Sequence, residues 1–133
     1  VNVPGRTVLP TLAVEIETVL SDFDPASLAE FKRTKTDWEE WIDYEQVRMP
    51  LTVRSRRAGD RFWPLGAPGS KKVSDFLSDL KVPAERREHL AIVCDRLGPV
   101  WVVPFRIDER VKLTPHTRRV LKLYARSIPL RAG

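Results

Sequence analysis

The chain has 133 residues, of which 42% are hydrophobic and 31% charged, which is typical of a globular domain. It has no apolar run of the roughly 20 residues that a membrane span needs, so we expect no membrane partner. Cys94 is the only cysteine, which excludes an internal disulfide and indicates a reducing, cytoplasmic location. The first ten residues lack the basic and apolar regions of a signal peptide, and we interpret the chain as a segment of a longer protein.

The net charge of +5 is unevenly distributed along the chain. Residues 1–50 carry five Lys/Arg against ten Asp/Glu, a net charge of −5, whereas residues 51–133 carry a net charge of +10. Such an excess suggests a polyanionic partner. The alternative is a solvated basic surface that keeps the protein soluble, and charge alone leaves both interpretations open.

The first half of the chain reads as strands around one helix-start signal. Residues 7–20 alternate between apolar and polar, which predicts a strand, with residues 7–9 as its partner in a hairpin. Asp24-Pro25 carries turn and helix-start signals before a short helix or loop, and residues 38–47 again read as a strand. Met49-Pro50 marks a break.

The second half alternates between strands, loops and short helices. Residues 51–57 predict a strand and residues 62–70 a loop rich in Gly and Pro. One face of an amphipathic helix follows, with Ser70 or Ser74 as its cap; the apolar residues are Val73, Phe76, Leu77 and Leu80. Pro83 ends this helix and suits the first turn of another. With three further strands in residues 91–95, 99–105 and 118–126, the pattern predicts an α+β fold of mixed strands with one or two short helices.

Catalytic and metal-binding motifs are not supported by the spacing of the residues. Neither Gly66 nor Gly69 is followed by Lys-Ser/Thr at the interval of a phosphate-binding loop of the Walker type. His89 and His116 lie far apart without metal-ligand spacing, and Cys94 lies in an apolar run where a thiol is usually an inert core residue. We therefore predict no catalytic residue, no metal and no cofactor in this segment.

The segment Arg106–Arg110 has two interpretations. Arg106, Asp108 and Arg110 fall on one face if the segment is extended. Either the two arginines contact phosphates with Asp108 holding them in position, or all three form structural ion pairs across strands. We favour the structural interpretation, because neighbouring carboxylates make a poor surface for RNA.

The strongest candidate site is basic. Residues 54–72 contain six Lys/Arg and one acid, Asp60, so the charge is not compensated as it is on most solvated surfaces. Arginine grips phosphates through two N–H groups, and lysine supplies a point charge that a helix start reinforces. The predicted nucleic-acid-binding residues are Arg54, Arg56, Arg57, Arg61, Lys71, Lys72 and Lys81. Trp63 either stacks on a base or, as is more common for a Trp next to a proline turn, anchors packing.

An ordered series of residues within residues 50–118 resembles the C-terminal domain of the tRNA(Ile)-lysidine synthetase family. The series consists of Arg54, Arg56, Gly59, Asp60, Arg61, Pro64, Gly66, Lys71, Lys72, Asp75, Phe76, Lys81, Pro83 and Arg106–Glu109. Ser74 departs from the pattern, because the family often has a basic residue there, which puts that contact in doubt. The resemblance implies a β-sandwich-like fold similar to a domain of the phenylalanyl-tRNA synthetase β subunit.

The resemblance also implies a function. Members of the family use ATP to attach lysine to the wobble cytidine of an isoleucine tRNA, and their chemistry belongs to an N-terminal domain with a Ser-Gly-Gly-x-Asp-Ser loop that this sequence lacks. ATP and Mg²⁺ are therefore expected in that domain and not here. The segment would bind and orient the acceptor stem of the tRNA, with the catalytic domain as a further partner and a homodimer left open.

The resemblance and the charge together suggest a division of the chain. We predict an acidic connecting segment in residues 1–48, a basic tRNA-binding domain in residues 49–126 and a tail in residues 127–133. The alternative function is a protein-interaction or structural module without catalytic activity, whose basic surface docks onto an acidic partner.

Overall fold

A computed structural model describes residues 3, 5–9, 12–36 and 38–127 of the chain. Residues 128–133 of the predicted tail lie outside this part. The strands of the described part are β1 Gly5–Leu9, β2 Val14–Asp22, β3 Glu39–Asp43, β4 Thr52–Ser55, β5 Arg61–Phe62, β6 Lys71–Lys72, β7 Ala91–Asp95, β8 Gly98–Val102, β9 Arg106–Ile107 and β10 Arg119–Ser127. The α-helices are α1 Pro25–Thr34, α2 Val73–Asp79 and α3 Ala84–Arg87. The predicted α+β class is confirmed, with one helix more than expected.

The first sheet joins the two ends of the chain. Its strand order is β1-β2-β10-β3, and every neighbouring pair is antiparallel. The predicted hairpin is confirmed, since β1 and β2 pair from Gly5 opposite Thr18 to Leu9 opposite Val14. Val14, Ile16 and Thr18 are buried on one face of β2, as the alternating sequence predicts. Glu15 on the other face is also buried, where it forms ion pairs with Arg6 and Arg126.

A second antiparallel sheet has the order β4-β7-β8-β9, and β5 and β6 form a separate two-stranded ribbon. Strand β7 is buried on both faces: Ala91 and Val93 belong to one core cluster, and Ile92 and Cys94 to another. This explains why residues 91–94 are continuously apolar in sequence and do not alternate as β2 does.

Two hydrophobic clusters hold these layers together. The first takes residues from both four-stranded sheets, among them Ile16, Ile42, Trp101 and Leu121, and so forms the core of a β-sandwich. The second packs α2 and the ribbon against the other face of the second sheet. Its buried members are Phe62, Val73, Phe76, Leu77, Val82, Leu90, Ile92, Cys94 and Val102.

The helix boundaries agree in part with the sequence. Helix α1 begins as expected, because the Asp24 carboxylate accepts a hydrogen bond from the backbone N–H of Ala26 at 3.0 Å. The prediction of a serine cap on α2 is wrong: Lys72 occupies the cap position and provides no side-chain hydrogen bond. The prediction that Leu80 lies on the buried face of α2 is also wrong, because the helix ends at Asp79 and 43% of Leu80 is exposed.

The predicted division of the chain at residue 48 stays a prediction. The break at Met49-Pro50 coincides with a cis peptide bond. Strand β10 nevertheless lies between β2 and β3, so the two predicted parts share one sheet. None of the described helices is long and apolar enough to cross a membrane.

Candidate nucleic-acid interface

Arg54 is held by Asp60 across the turn that follows β4. The guanidinium donates to both carboxylate oxygens, at 2.8 and 2.9 Å, and the backbone N–H of Arg57 donates to the same carboxylate at 2.8 Å. Burial raises the pKa of the Asp60 carboxyl, but these hydrogen bonds outweigh it and the net pKa lies below its ordinary value. The bond to Asp60 in turn raises the pKa of Arg54. Arg54 also donates from Nη1 to the carbonyl of Ser55 at 3.0 Å, so it shapes the loop with three of its donors already occupied.

Arg56 and Arg57 differ in exposure. Arg56 is half-buried, and its Nε atom has no hydrogen-bond partner among the described residues. The side chain of Arg57 is exposed at the turn, and its backbone is fixed by Asp60 on both sides, because the N–H of Asp60 also donates to the carbonyl of Arg57 at 3.1 Å. Arg57 thus presents an exposed charge from a main chain that is held by two hydrogen bonds with Asp60.

The β5–β6 ribbon separates the cations of the predicted site onto two sides. Arg61 lies opposite Lys72, and Phe62 lies opposite Lys71. Directly opposed residues of an antiparallel pair share a side. Phe62 is buried against Phe76, with ring centroids 5.0 Å apart, so Lys71 is on the inner side, where it forms an ion pair with Asp79.

The outer side of the ribbon carries exposed charge. Arg61 and Lys72 are both exposed, and Arg61 donates from Nη2 to the hydroxyl of Ser70 at 3.3 Å. No salt bridge to either residue occurs within the described part of the chain. We name the pair Arg61 and Lys72, on the outer side of the ribbon, the basic ribbon face.

The helix start contributes less to anion binding than the sequence suggests. Helix α2 has seven residues, and the backbone N–H of Val73 already donates to the carbonyl of Asp60 at 2.8 Å. Lys81 is exposed at the opposite end of α2, where it adopts a left-handed φ of 58°. A seven-residue helix is about 10 Å long, so Lys81 is separated from Lys72 by at least that distance. Lys81 can contribute only to an extended interface.

The contacts of Asp108 and Arg110 support a structural role for these two residues, although, of the two, only Arg110 forms an ion pair among the described residues. Asp108 is buried and accepts hydrogen bonds from the backbone N–H groups of Trp63 at 2.9 Å and Arg110 at 2.8 Å. Arg110 makes a two-point ion pair with Asp95, at 2.8 and 3.0 Å. The expectation of one extended face is wrong, because the chain leaves β9 at Ile107 and enters a 3₁₀ turn over Glu109–Val111.

Arg106 is a cation that the predicted set omits. Its side chain is exposed, and its guanidinium lies 5.7 Å from the centroid of the Phe76 ring on α2. Arginine over an aromatic face keeps its charge available to solvent while its plane is held. This contact joins β9 to α2, which are distant in sequence, so no local pattern indicates it.

The described residues contain no group of three or more His, Cys, Asp or Glu side chains that could hold a metal ion. Cys94 is buried, as expected of a core residue, and burial raises the pKa of its thiol. A thiol that stays protonated is a poor nucleophile and a poor metal ligand. The fold is thus an antiparallel α+β domain that carries exposed cations on the β5–β6 ribbon.

Comparison with known proteins identifies the family. Residues 51–123 match the TilS substrate C-terminal domain, and the chain belongs to this family. Over its whole length the chain is 38% identical to the tRNA(Ile)-lysidine synthase of Symbiobacterium thermophilum, and it covers 27% of that protein. Over 92% of its length the chain is 35% identical to the tRNA(Ile)-lysidine synthase of Clostridioides difficile, and it covers 26% of that protein. The chain therefore spans about a quarter of these relatives.

Solved structures show the same fold. A crystal structure of the TilS C-terminal domain superposes with a TM-score of 0.74 at 25% identity, covering 95% of this chain and 92% of that one. An N-terminal fragment of the phenylalanyl-tRNA synthetase β subunit from Pyrococcus horikoshii gives a TM-score of 0.63 at 15% identity, covering 83% of this chain and 38% of that one. The predicted sandwich of this type is confirmed.

Proposed function

We propose that this chain is the tRNA-binding C-terminal part of an enzyme that uses ATP to ligate lysine to the wobble cytidine of an isoleucine tRNA. The proposal rests on its membership of the TilS substrate C-terminal domain family and on relatives named tRNA(Ile)-lysidine synthase. The chemistry, with its ATP and Mg²⁺, belongs to a catalytic domain of the same protein in the cytoplasm. The segment itself binds and orients the tRNA.

The basic ribbon face carries the binding role in this proposal. Arg61 and Lys72 are cross-strand neighbours with exposed side chains, so their charges project from the same side of a short rigid element. Arg54 and Lys71 act indirectly, because Asp60 and Asp79 hold them. A-form RNA is recognised largely through its shape and its phosphates, which a cluster of cations without base-reading side chains can do. The acceptor stem is the proposed target.

The test is the salt dependence of tRNA binding. We expect Arg61→Ala combined with Lys72→Ala to weaken binding of an isoleucine tRNA to the chain and to lower the magnitude of the log–log salt slope by about 1.5, since each lost phosphate contact removes roughly 0.7–0.9. An RNA minihelix that contains only the acceptor stem should compete with the tRNA, and an anticodon stem-loop should compete poorly. Equal competition by both RNAs would contradict the acceptor stem as the target.

The matched control removes the same charge elsewhere. Arg96 lies in the turn between β7 and β8. This turn is at one end of β7, whereas Ala91 at the other end pairs with Ser55, close to the turn that carries Arg57. We expect Arg96→Ala combined with Arg118→Ala, both at exposed positions, to leave the slope nearly unchanged. If both double variants lower the slope equally, binding depends on net charge alone and the ribbon is not the site.

A protein-interaction module is the alternative function, and one observation favours it. A groove of about 370 Å³ between α1 and the loop after β5 is lined mostly by apolar side chains, which include Leu28, Phe31, Trp41 and Leu65. Charged side chains also line it, namely Lys32, Lys35, Glu40 and Lys112. An apolar groove of this kind suits a protein segment better than RNA. Wild-type chain that binds tRNA only at low salt, with no difference between the two double variants, would favour this alternative.

A further inference from the structure

Trp63 is half-exposed, with 42% of its surface accessible, although it follows a strand of the second core. Neither core cluster of the described residues includes it. Its backbone is nevertheless fixed: the N–H donates to Asp108 at 2.9 Å, and the carbonyl accepts from Glu109 at 2.7 Å. The indole N–H donates to the carbonyl of Ala67 at 2.6 Å. The ring is therefore held by its edge and is not part of the core.

The position of Trp63 relates it to the basic ribbon face. Successive side chains of an extended segment alternate between its two sides, so Trp63 lies on the side of Arg61, and Phe62 lies on the other. The exposures agree, since Arg61 and Trp63 are exposed and Phe62 is buried. Arg61 also reaches across the ribbon to Ser70, which precedes the strand of Lys72. An aromatic ring thus borders two exposed cations.

We propose that Trp63 stacks on a nucleobase of the bound RNA while Arg61 and Lys72 contact the flanking phosphates. The inference rests on the proposed function. It adds a residue that contacts a base to an interface that otherwise contacts only the sugar–phosphate backbone of the RNA. A ring fixed before binding loses little conformational freedom when a base stacks on it, so more of the stacking energy appears as affinity. The base on which Trp63 stacks belongs either to an unpaired nucleotide or to the terminal base pair of a stem.

Two RNA probes and four proteins test the inference. The probes are a hairpin stem with a blunt end and the same stem with a single-stranded 3′ extension, both titrated into wild-type chain and into Trp63→Ala, Trp63→Phe and Trp38→Ala. Trp38 is the matched control, because it is 41% exposed and lies in the turn directly before β3 of the first sheet. We expect Trp63→Ala to weaken binding about tenfold or more, as loss of one stacked base does.

Two further readouts separate stacking from charge and from structure. The salt slope of Trp63→Ala should equal that of wild type, because a stacking contact releases no counterion. Trp63→Phe should retain most of the affinity, since it keeps a ring and loses only the hydrogen bond to Ala67. A loss confined to the extended probe identifies an unpaired nucleotide as the source, and an equal loss on both probes identifies the terminal base pair.

Three results would overturn the inference. Salt-dependent binding by wild type with unchanged affinity in Trp63→Ala would reject the stacking role and leave the proposed function intact. Equal losses in both Trp63 variants, with lowered melting temperatures, would show that the indole hydrogen bond merely supports the loop. Wild-type chain that binds neither probe would reject the proposed function and this inference together.

Discussion

Carboxylates in the basic half of the chain organise its backbone. Asp60 accepts from the N–H of Arg57, Asp95 from that of Arg48, and Asp108 from that of Trp63. Two of these three carboxylates also hold an arginine through two hydrogen bonds. An arginine near an acid in sequence is therefore not necessarily available to a ligand, and the residue types alone do not separate the free cations from the occupied ones.

Asp95 should make stability depend on pH. Its side chain is fully buried, and although burial raises the pKa of this carboxyl, hydrogen bonds from Arg110 and from backbone N–H groups hold the net pKa below its ordinary value. A carboxyl with a depressed pKa in the folded state stabilises the fold above its unfolded pKa, which is about 4, and loses that contribution as pH falls through the folded value. The free energy of unfolding should therefore drop below about pH 4.

Asp95→Asn tests this contribution in urea unfolding measured from neutral to acidic pH. We expect a loss of about 2–4 kcal/mol at neutral pH, because the buried partner of Arg110 loses its charge. The variant should also show a shallower decrease in stability on acidification, with the remainder due to groups such as Asp60. Glu30→Gln, which removes an exposed ion pair with Arg33, should change stability by less than about 0.5 kcal/mol. An unchanged pH dependence in Asp95→Asn would contradict the prediction.

At the level of elements, sequence periodicity predicts buried faces better than ends. The spacing of Val73, Phe76 and Leu77 correctly identifies the face of α2 that is buried. The same pattern continues to Leu80, but the chain leaves the helix there and Lys81 takes a left-handed conformation. The sequence does not predict the cap of α2, because Lys72 belongs to the β5–β6 ribbon. Lys72 pairs there with Arg61, and residues adjacent in sequence do not indicate this pairing.

Leu77 and Leu80 provide a matched pair for this distinction. Leu77 is fully buried in the second cluster, and Leu80 is 43% exposed. We expect Leu77→Ala to lower the free energy of unfolding by about 2–5 kcal/mol, because it removes buried surface and leaves a cavity. Leu80→Ala should cost less than about 1 kcal/mol. Equal losses measured by chemical denaturation would mean that Leu80 packs as the sequence pattern suggests.

For the whole molecule, local patterns predict the strands and a hairpin, but not the pairing of strands that are distant in sequence. The alternation in residues 7–20 correctly predicts β2 and its hairpin partner β1. Nothing in that stretch indicates that β2 also pairs with β10, from Val14 opposite Ser127 to Asp22 opposite Arg119. The prediction of the site is limited for the same reason, because the ion pairs of Lys71 and Arg110 depend on where α2 and the end of β7 come to lie.

The position of β10 between β2 and β3 allows the predicted division of the chain at residue 48 to be tested. Strand β10 has β2 on one side and β3 on the other, and Leu121 and Leu123 of β10 are fully buried in the first cluster. A variant lacking residues 1–48 loses both neighbouring strands, so these leucines become exposed and the backbone of β10 loses its partners. We expect this variant to lack the cooperative thermal unfolding of the full chain, as measured by circular dichroism. Cooperative unfolding at an unchanged temperature would instead establish residues 49–126 as an independent domain, and the acidic segment would then serve only as a connection.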